Sequence, residues 1–215
     1  MPAELGLRER KKRQTRELIA ETAWRLFADR GFEQVTVAEV ARQAQVAVAT
    51  VFNYFPTKED LFYHRLEAFE EWLVEAIRAR PSGEPVLRAF QRALLESGGL
   101  LAQVEAGDTQ ALERLRTVTR VIAASPTLQA REQRALARSA DALAALLAAE
   151  SNAPADDLRP QVVANALIGV QRALIGYTRR RVLADQELTR LAADVRRLGE
   201  QAFALLERGL GGYPR

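Results

Sequence analysis

The stretch from residue 36 to residue 61 constrains the fold of this chain more than any other part of its sequence. It contains two capping boxes, Thr36-x-x-Glu39 and Thr57-x-x-Asp60. In a capping box, the side chain of each residue accepts a hydrogen bond from the other residue's backbone amide, which the first helical turn leaves without a partner. Each box therefore predicts the start of a helix.

A further short helix is predicted between the two boxes. The residues Gln45-Val46-Ala47 break the first helical pattern, and a new one runs from Val48 to Phe55 until Pro56 ends it. Two short helices joined by a tight turn form a helix-turn-helix, whose second helix enters the major groove of DNA. The sequence therefore predicts a DNA-reading helix that starts near Val48.

The same stretch resembles the DNA-binding signature of TetR/AcrR-type transcriptional regulators. The matching positions follow one another at fixed spacing without a gap: Thr36-x-x-x-Val40-Ala41-x-x-Ala44-x-Val46-x-x-x-Thr50-Val51-Phe52-x-Tyr54-Phe55-x-x-Lys58-Glu59-x-Leu61. The resemblance covers residues 12–72 and implies a three-helix DNA-binding domain there, with its helix-turn-helix near 36–55. It also implies that 73–215 form a larger helical domain that binds an effector and dimerises.

The front of the reading helix is expected to contact bases, and its surroundings to contact the DNA backbone. Small residues at the front let the helix lie deep in the groove, where methyl groups can touch thymine methyls. By the resemblance, backbone contacts come from Thr36, Thr50, Tyr54 and Lys58. The residues expected to meet bases are Ala47, Val48, Ala49, Phe52 and Asn53.

Two residues depart from the pattern that the resemblance implies. Ala47 occupies a position where a capping serine is frequent, so the reading helix lacks a side-chain cap. Phe52 occupies a position where a tyrosine is frequent, so one hydroxyl is missing. We expect a more apolar reading surface that still binds DNA.

A basic segment near the N-terminus contains Arg10, Lys11, Lys12 and Arg13. One interpretation is a solvated, partly disordered leader. The other is an arm or helix start that meets DNA phosphates or the minor groove. We favour the second interpretation beside a helix-turn-helix.

The composition predicts an all-α protein, because alanine and leucine are abundant and runs of β-branched residues are few. There is no cysteine, so disulfides and thiolate metal sites are impossible and a reducing cytoplasm is the expected location. We see neither a signal peptide nor an apolar run long enough to span a membrane.

Neither an enzyme nor a metal or cofactor site is expected. The sequence contains no nucleophile elbow, phosphate-binding loop or His-Glu-x-x-His motif. His64 is the only histidine, and a packing or surface role is the expected one for it.

Beyond Pro85 the chain reads as a series of amphipathic helices. By analogy to the family, a small apolar or amphipathic effector, such as an acyl chain, a drug or an aromatic compound, binds there and shifts the helix that starts at Thr57. This releases the DNA. The candidate pocket residues, each of a kind that is more often plain core than ligand-binding, are Phe69, Trp72, Leu73, Phe90, Leu94, Leu115, Val118 and Ile122.

The last two helices are predicted to pair with their copies in a homodimer. The helix predicted from Gln161 to Val182 has an apolar arc wider than one core requires, which indicates burial on two sides. An intrachain bundle is the alternative. The predicted interface residues are Ala164, Ile168, Gln171, Ile175, Leu198, Ala202 and Leu205.

The predicted function is a ligand-responsive transcriptional regulator, a repressor, that binds a palindromic operator in double-stranded DNA as a dimer. Dimerisation matters because two readers about 34 Å apart discriminate a site that one reader cannot. The alternative is a constitutive dimeric DNA-binding protein without an effector.

Overall fold

The computed structural model describes residues 6–64, 67–96, 100–184, 188 and 190–210. In this part of the chain there are helices and no strands, which confirms the all-α prediction. The eleven helices are α1 Leu7–Arg30, α2 Val37–Gln43, α3 Val48–Tyr54, α4 Lys58–Tyr63, α5 Glu67–Arg78, α6 Val86–Glu96, α7 Leu100–Glu105, α8 Thr109–Ala123, α9 Pro126–Ser151, α10 Arg159–Leu183 and α11 Leu191–Leu210.

Helix α1 begins at Leu7, earlier than the start at Gln14 that the apolar pattern predicted. The basic segment therefore lies on a helix, as the second of its two interpretations expected. Gly31, which follows the apolar pattern of this helix, predicts the end of the helix. The helix ends there: the φ of Gly31 is 79°, in the region that favours glycine, and its N–H donates to the Phe27 carbonyl at 2.9 Å.

Both capping boxes form as predicted. The Glu39 backbone N–H donates to the Thr36 hydroxyl at 3.2 Å, and the Thr36 N–H donates to the Glu39 carboxylate at 2.9 Å. The box at the start of α4 has the same pattern, with distances of 3.2 and 2.8 Å. Helix α3 begins without a side-chain cap at Ala47, also as predicted.

The apolar pattern after the second capping box, which continues to Ile77, predicts one unbroken helix from Thr57. Helical residues stop at Tyr63 and resume at Glu67, and 65–66 lie outside the described residues. His64 is half-buried; its ring meets the Phe55 ring edge-on at 5.3 Å, and its Nε2 lies 3.4 Å from a Glu17 carboxylate oxygen. The packing role expected of this histidine is therefore confirmed.

Aromatic side chains form the centre of the first of two compact units. Phe27, Phe32 and Phe62 are almost fully buried, with ring centroids 5.1 to 6.2 Å apart. Trp24 joins them, with its ring centroid 5.7 Å from that of Phe62. Rings at these distances attract each other in addition to the area that they bury.

A segment distant in sequence belongs to this first unit. Contacts group Val121–Arg131, at the junction of α8 and α9, with the N-terminal helices up to Glu67. The second unit contains 68–120 and the chain from Glu132 onward. The sequence pattern did not indicate that α9 takes part in both units.

The second unit has its own apolar core, formed by buried side chains from α5, α6, α8, α9, α10 and α11. Phe90 and Phe203 are fully buried in it, with ring centroids 6.1 Å apart. Helix α11 lies so close to α6 that a β carbon at Gly199 would come within 2.6 Å of the Leu95 side chain. Only glycine fits this approach without movement of the leucine.

The apolar pattern near the C-terminus predicts a final helix that starts at about Gln186, whereas α11 begins at Leu191. Leu188, which was placed on that helix, is buried but precedes it, and 185–187 and 189 lie outside the described residues. None of the described helices is both long and apolar enough to cross a membrane.

The uncapped start of α3 gives a direct stability test. Ala47→Ser supplies a hydroxyl that can accept from the free amides of the first turn, so we expect the free energy of unfolding to rise by about 0.5–2 kcal/mol. The melting temperature measures this change. Ala49→Ser is the control, because a serine inside the helix does not cap it and should not stabilise the protein. An unchanged or lower melting temperature for Ala47→Ser would show that the cap position is misplaced.

Candidate nucleic-acid interface

Helix α3 has one buried face and one exposed face. Val51 is 0% exposed and the following Phe55 is 2% exposed, so this side faces the core of the first unit. On the opposite side Val48 and Phe52 are 41% and 47% exposed, so this face presents two large apolar side chains to solvent. Ala47, Ala49 and Asn53 are also exposed. All five residues expected to meet bases are thus open to solvent.

The exposed face of α3 offers few kinds of chemical group to a partner. Asn53 is the polar side chain among those five residues, and the other four offer methyl groups and a ring. Such a face suits van der Waals contact with thymine methyls, whereas an asparagine amide can pair with adenine through two hydrogen bonds. Thr50 and Tyr54, expected to contact the DNA backbone, are half-buried beside this face.

The basic residues of α1 are exposed on the same unit. Arg10, Lys11, Lys12 and Arg13 all face solvent, where they can meet phosphates. Arg16, nearer to α3, lies 5.4 Å from the centre of the Phe55 ring, a cation–π distance. Helix α1 therefore carries the basic segment and also contacts the residue that ends the reading helix.

Thr36 and Glu39 use their polar atoms on each other. The Thr36 hydroxyl also donates to the Glu39 carboxylate at 3.2 Å, and Arg30 donates to that carboxylate at 2.9 Å. The Thr36 backbone N–H, followed by Arg30, lowers the pKa of Glu39 to about 2. The Thr36 hydroxyl, which is expected to contact the DNA backbone, is therefore already part of the cap of α2.

Lys58 is oriented toward the protein. Its ammonium lies 4.1 Å from the centre of the Phe32 ring, and burial lowers the pKa of Lys58, opposed by the negative charge of Glu33. Hydrogen bonding from Ser125 lowers the pKa of Glu33. The side chain that the resemblance assigns to the DNA backbone thus also joins the start of α4 to the loop after α1.

The predicted effector residues do not share one environment. Leu73, Phe90 and Leu115 are buried in the core of the second unit, and Leu94 and Val118 are half-buried. Trp72 is 44% exposed, and Ile122 belongs by contact to the first unit. The side chain of Phe69 lies outside the described residues. The pocket stays a prediction, and the five residues Leu73, Phe90, Leu94, Leu115 and Val118 fit it best.

A cleft of about 280 Å³ lies elsewhere in the second unit. Arg80 in this cleft is bound to the Glu150 carboxylate through two hydrogen bonds of 2.6 and 3.0 Å, and donates to two backbone carbonyls. None of the predicted effector residues lines it; the lining residues are Arg78, Arg80, Pro81, Ser82, Gly83, Glu84 and Glu150.

The predicted dimer face of α10 is turned inward. Ala164, Ile168 and Gln171 are at most 4% exposed within a single chain, so they cannot also form a surface for a second subunit. They pack in the core because the second apolar stripe of α10 meets the other helices of its own unit, the alternative that the sequence left open. Ile175, Leu198 and Ala202 are half-buried, and Leu205 is 69% exposed.

The sequence pattern missed a set of polar contacts within the first unit. Arg131 donates to the Asp60 carboxylate at 2.7 Å, and the Tyr63 hydroxyl donates to the Leu128 carbonyl at 3.0 Å. The Ser125 hydroxyl donates to Glu33. These partners are separated by long stretches of chain, so no local periodicity could reveal them. Among the residues that the structure describes, no group of three or more acidic or histidine side chains could hold a metal ion.

Comparison with known proteins agrees with this geometry. Residues 19–64 match the profile of bacterial regulatory proteins of the tetR family, and residues 84–211 match that of the MftR C-terminal domain. The HTH-type transcriptional regulator TcmR of Streptomyces glaucescens is 29% identical over 172 residues, which cover 79% of this chain and 75% of TcmR. The transcriptional regulator MftR of Mycobacterium tuberculosis is 31% identical over 173 residues, which cover 78% of this chain and 80% of MftR.

A solved structure shares the fold. NalD, the secondary repressor of the MexAB-OprM multidrug efflux pump in Pseudomonas aeruginosa, superposes with a TM-score of 0.58 at 20% identity, over 89% of this chain and 96% of NalD. The named sequence relatives are transcriptional regulators and not enzymes. Together, the helix-turn-helix with its exposed reading helix and the two profile matches show that this chain belongs to the TetR family of bacterial transcriptional regulators.

Proposed function

We propose that this chain is a ligand-responsive transcriptional repressor that binds a palindromic operator as a dimer. The observation that carries the proposal is the exposed face of α3, where Val48 and Phe52 remain open to solvent in a helix whose other side is fully buried. Exposing large apolar side chains is unfavourable in water, so a partner that covers them is expected. In a TetR-family chain that partner is the major groove of DNA.

The contacts with DNA divide into two groups. Ala47, Val48, Ala49, Phe52 and Asn53 meet base edges, where they discriminate sequences. Thr50, Tyr54 and the basic residues of α1 meet phosphates and fix the helix in the groove, which gives affinity without sequence preference. Lys58 stabilises this arrangement from within the protein, because its ammonium holds the start of α4 against the Phe32 ring.

TetR-family regulators act as dimers, and the exposed face of α10 is our proposal for the surface used here. Val162 is 56% exposed, and Gly169 and Ala173 lie exposed further along the same helix. Small residues let two helices approach closely, and Val162 supplies apolar area. Leu205 on α11, 69% exposed, is the residue of the predicted interface that remains available.

Val162→Asp tests whether this face of α10 forms the dimer and whether the dimer is required for operator binding. A charge in a buried helix pair costs several kcal/mol, so we expect monomers in sedimentation at micromolar protein concentration. Affinity for the operator should fall by roughly 100-fold, because the second reading helix is no longer held beside the first. Ala142→Asp, an exposed residue of α9, is the control and should leave both unchanged. A Val162→Asp protein that stays dimeric would contradict this interface.

Small-molecule effectors are bound by TetR-family regulators, and we place the site for an apolar or amphipathic effector in the second unit. Its walls would come from Leu73, Phe90, Leu94, Leu115 and Val118, which are apolar and at most half-exposed. A ligand there would favour one arrangement of the helices over another, and DNA affinity would change by the difference in its binding energy.

The effector is tested with the protein as purified. Mass spectrometry of small molecules released by denaturation should identify a bound compound. Adding that compound back to a protein–DNA complex should weaken DNA binding roughly tenfold, within the usual range of allosteric coupling. A released compound that leaves DNA affinity unchanged would favour constitutive DNA binding instead.

A further inference from the structure

Helix α9 has residues in both compact units, as do α8 and, through its first residue, α5. Its residues up to Arg131 group with the DNA-reading unit, and those from Glu132 to Ser151 group with the second unit. The boundary between the two units therefore lies at the peptide bond between Arg131 and Glu132, inside a continuous helix. The side chains on either side of that bond both form ion pairs, each within its own unit.

Arg131 is paired in the DNA-reading unit. Its guanidinium donates to Asp60 Oδ1 at 2.7 Å, and the two side chains are only 20% and 18% exposed. The other oxygen of Asp60 accepts the Thr57 N–H at 2.8 Å, which caps α4. One carboxylate thus fixes the start of α4 and the first part of α9. Pro56 and the reading helix immediately precede this cap in the chain.

Two further contacts hold the first turn of α9 in the same place. The buried Tyr63 hydroxyl donates to the Leu128 carbonyl at 3.0 Å. Ser125 accepts the Leu128 N–H at 3.1 Å, so it caps α9, while its hydroxyl donates to Glu33 in the loop after α1. The start of α9 is therefore bound to α4 and to the loop that leads to α2.

Glu132 is paired in the second unit. Both of its carboxylate oxygens accept from Arg179 on α10, at 2.7 and 2.9 Å, and the two side chains are 13% and 24% exposed. Pairs this shielded from water are stronger than exposed ones and are costly to break from one side. Helix α10 also carries the face that we assign to the dimer.

We propose that Arg131 and Glu132 are positioning residues that couple α10 to the cap of α4, and hence to the reading helix, through the rigid start of α9. This inference rests on the proposed function, since it concerns how the second unit affects DNA binding. A helix rises about 1.5 Å per residue and does not stretch. If α9 moved along its axis by this distance, an ion pair of 2.7 Å would lengthen beyond hydrogen-bond distance. A movement of α9 that keeps one of the two ion pairs intact must therefore weaken the other.

The alternative is that the two pairs act independently, each stabilising only its own unit. A double-mutant cycle distinguishes coupling from independence. The probe is the duplex that the wild-type protein selects from a random-sequence pool, and the readout is its dissociation constant for Glu132→Gln, Arg131→Gln and the double variant. Glu132→Gln keeps the shape of the side chain and removes its charge.

If α9 couples the units, Glu132→Gln weakens DNA binding by about 5-fold in the wild-type background, at the lower end of typical couplings. The same change has no further effect once Arg131→Gln is present. Exchanging the charges in Glu132→Arg with Arg179→Glu restores affinity. The control is Glu113→Gln, which removes an ion pair with Arg116 on α8 and leaves affinity unchanged.

Hydrogen exchange provides a second readout in case a variant is less stable. Binding of the duplex slows exchange of the α10 amides near Arg179 in the wild type and not in Glu132→Gln, because coupling is reciprocal. Equal effects of Glu132→Gln in both backgrounds, or no effect in either, would overturn the coupling while DNA binding itself stands. If no duplex is selected at all, the proposed function fails first.

Discussion

The burial of Val51 and Phe55 determines what the reading helix can do. A helix of seven residues is too short to be stable alone, so α3 exists because its inner face packs in the core of the first unit. That packing fixes the rotation of the helix about its axis and leaves Val48, Phe52 and Asn53 outside. Arg16 contacts Phe55, so α1 both supports the reading helix and carries the basic segment beside it.

Polar contacts position the helices that apolar burial stabilises. Asp60 joins two helix starts through its two oxygens, and Glu33 accepts from Ser125 while its charge faces Lys58. Each of these carboxylates contacts groups from two separate segments of the first unit and so holds those segments together.

The helix starts and ends that depend only on neighbouring residues could be predicted from the sequence. The two capping boxes, the stop at Gly31 and the uncapped Ala47 follow from neighbouring residues, and the structure confirms them. Periodicity could not decide which of the two apolar stripes of α10 faces its own chain, so it did not reveal that Ala164, Ile168 and Gln171 are buried within a single chain. The pairing of Asp60 with Arg131 joins residues far apart in sequence, and no pattern within either segment marks it.

We propose that two copies of this reading helix bind one palindromic site. Selection of bound duplexes from a random-sequence pool, followed by sequencing, tests it most directly. We expect an inverted repeat whose half-sites lie about one helical turn apart, or a multiple of that distance, with thymines and adenines where the apolar face and Asn53 meet the bases. Enrichment of single, unrepeated sites, or of no sequence at all, would contradict it.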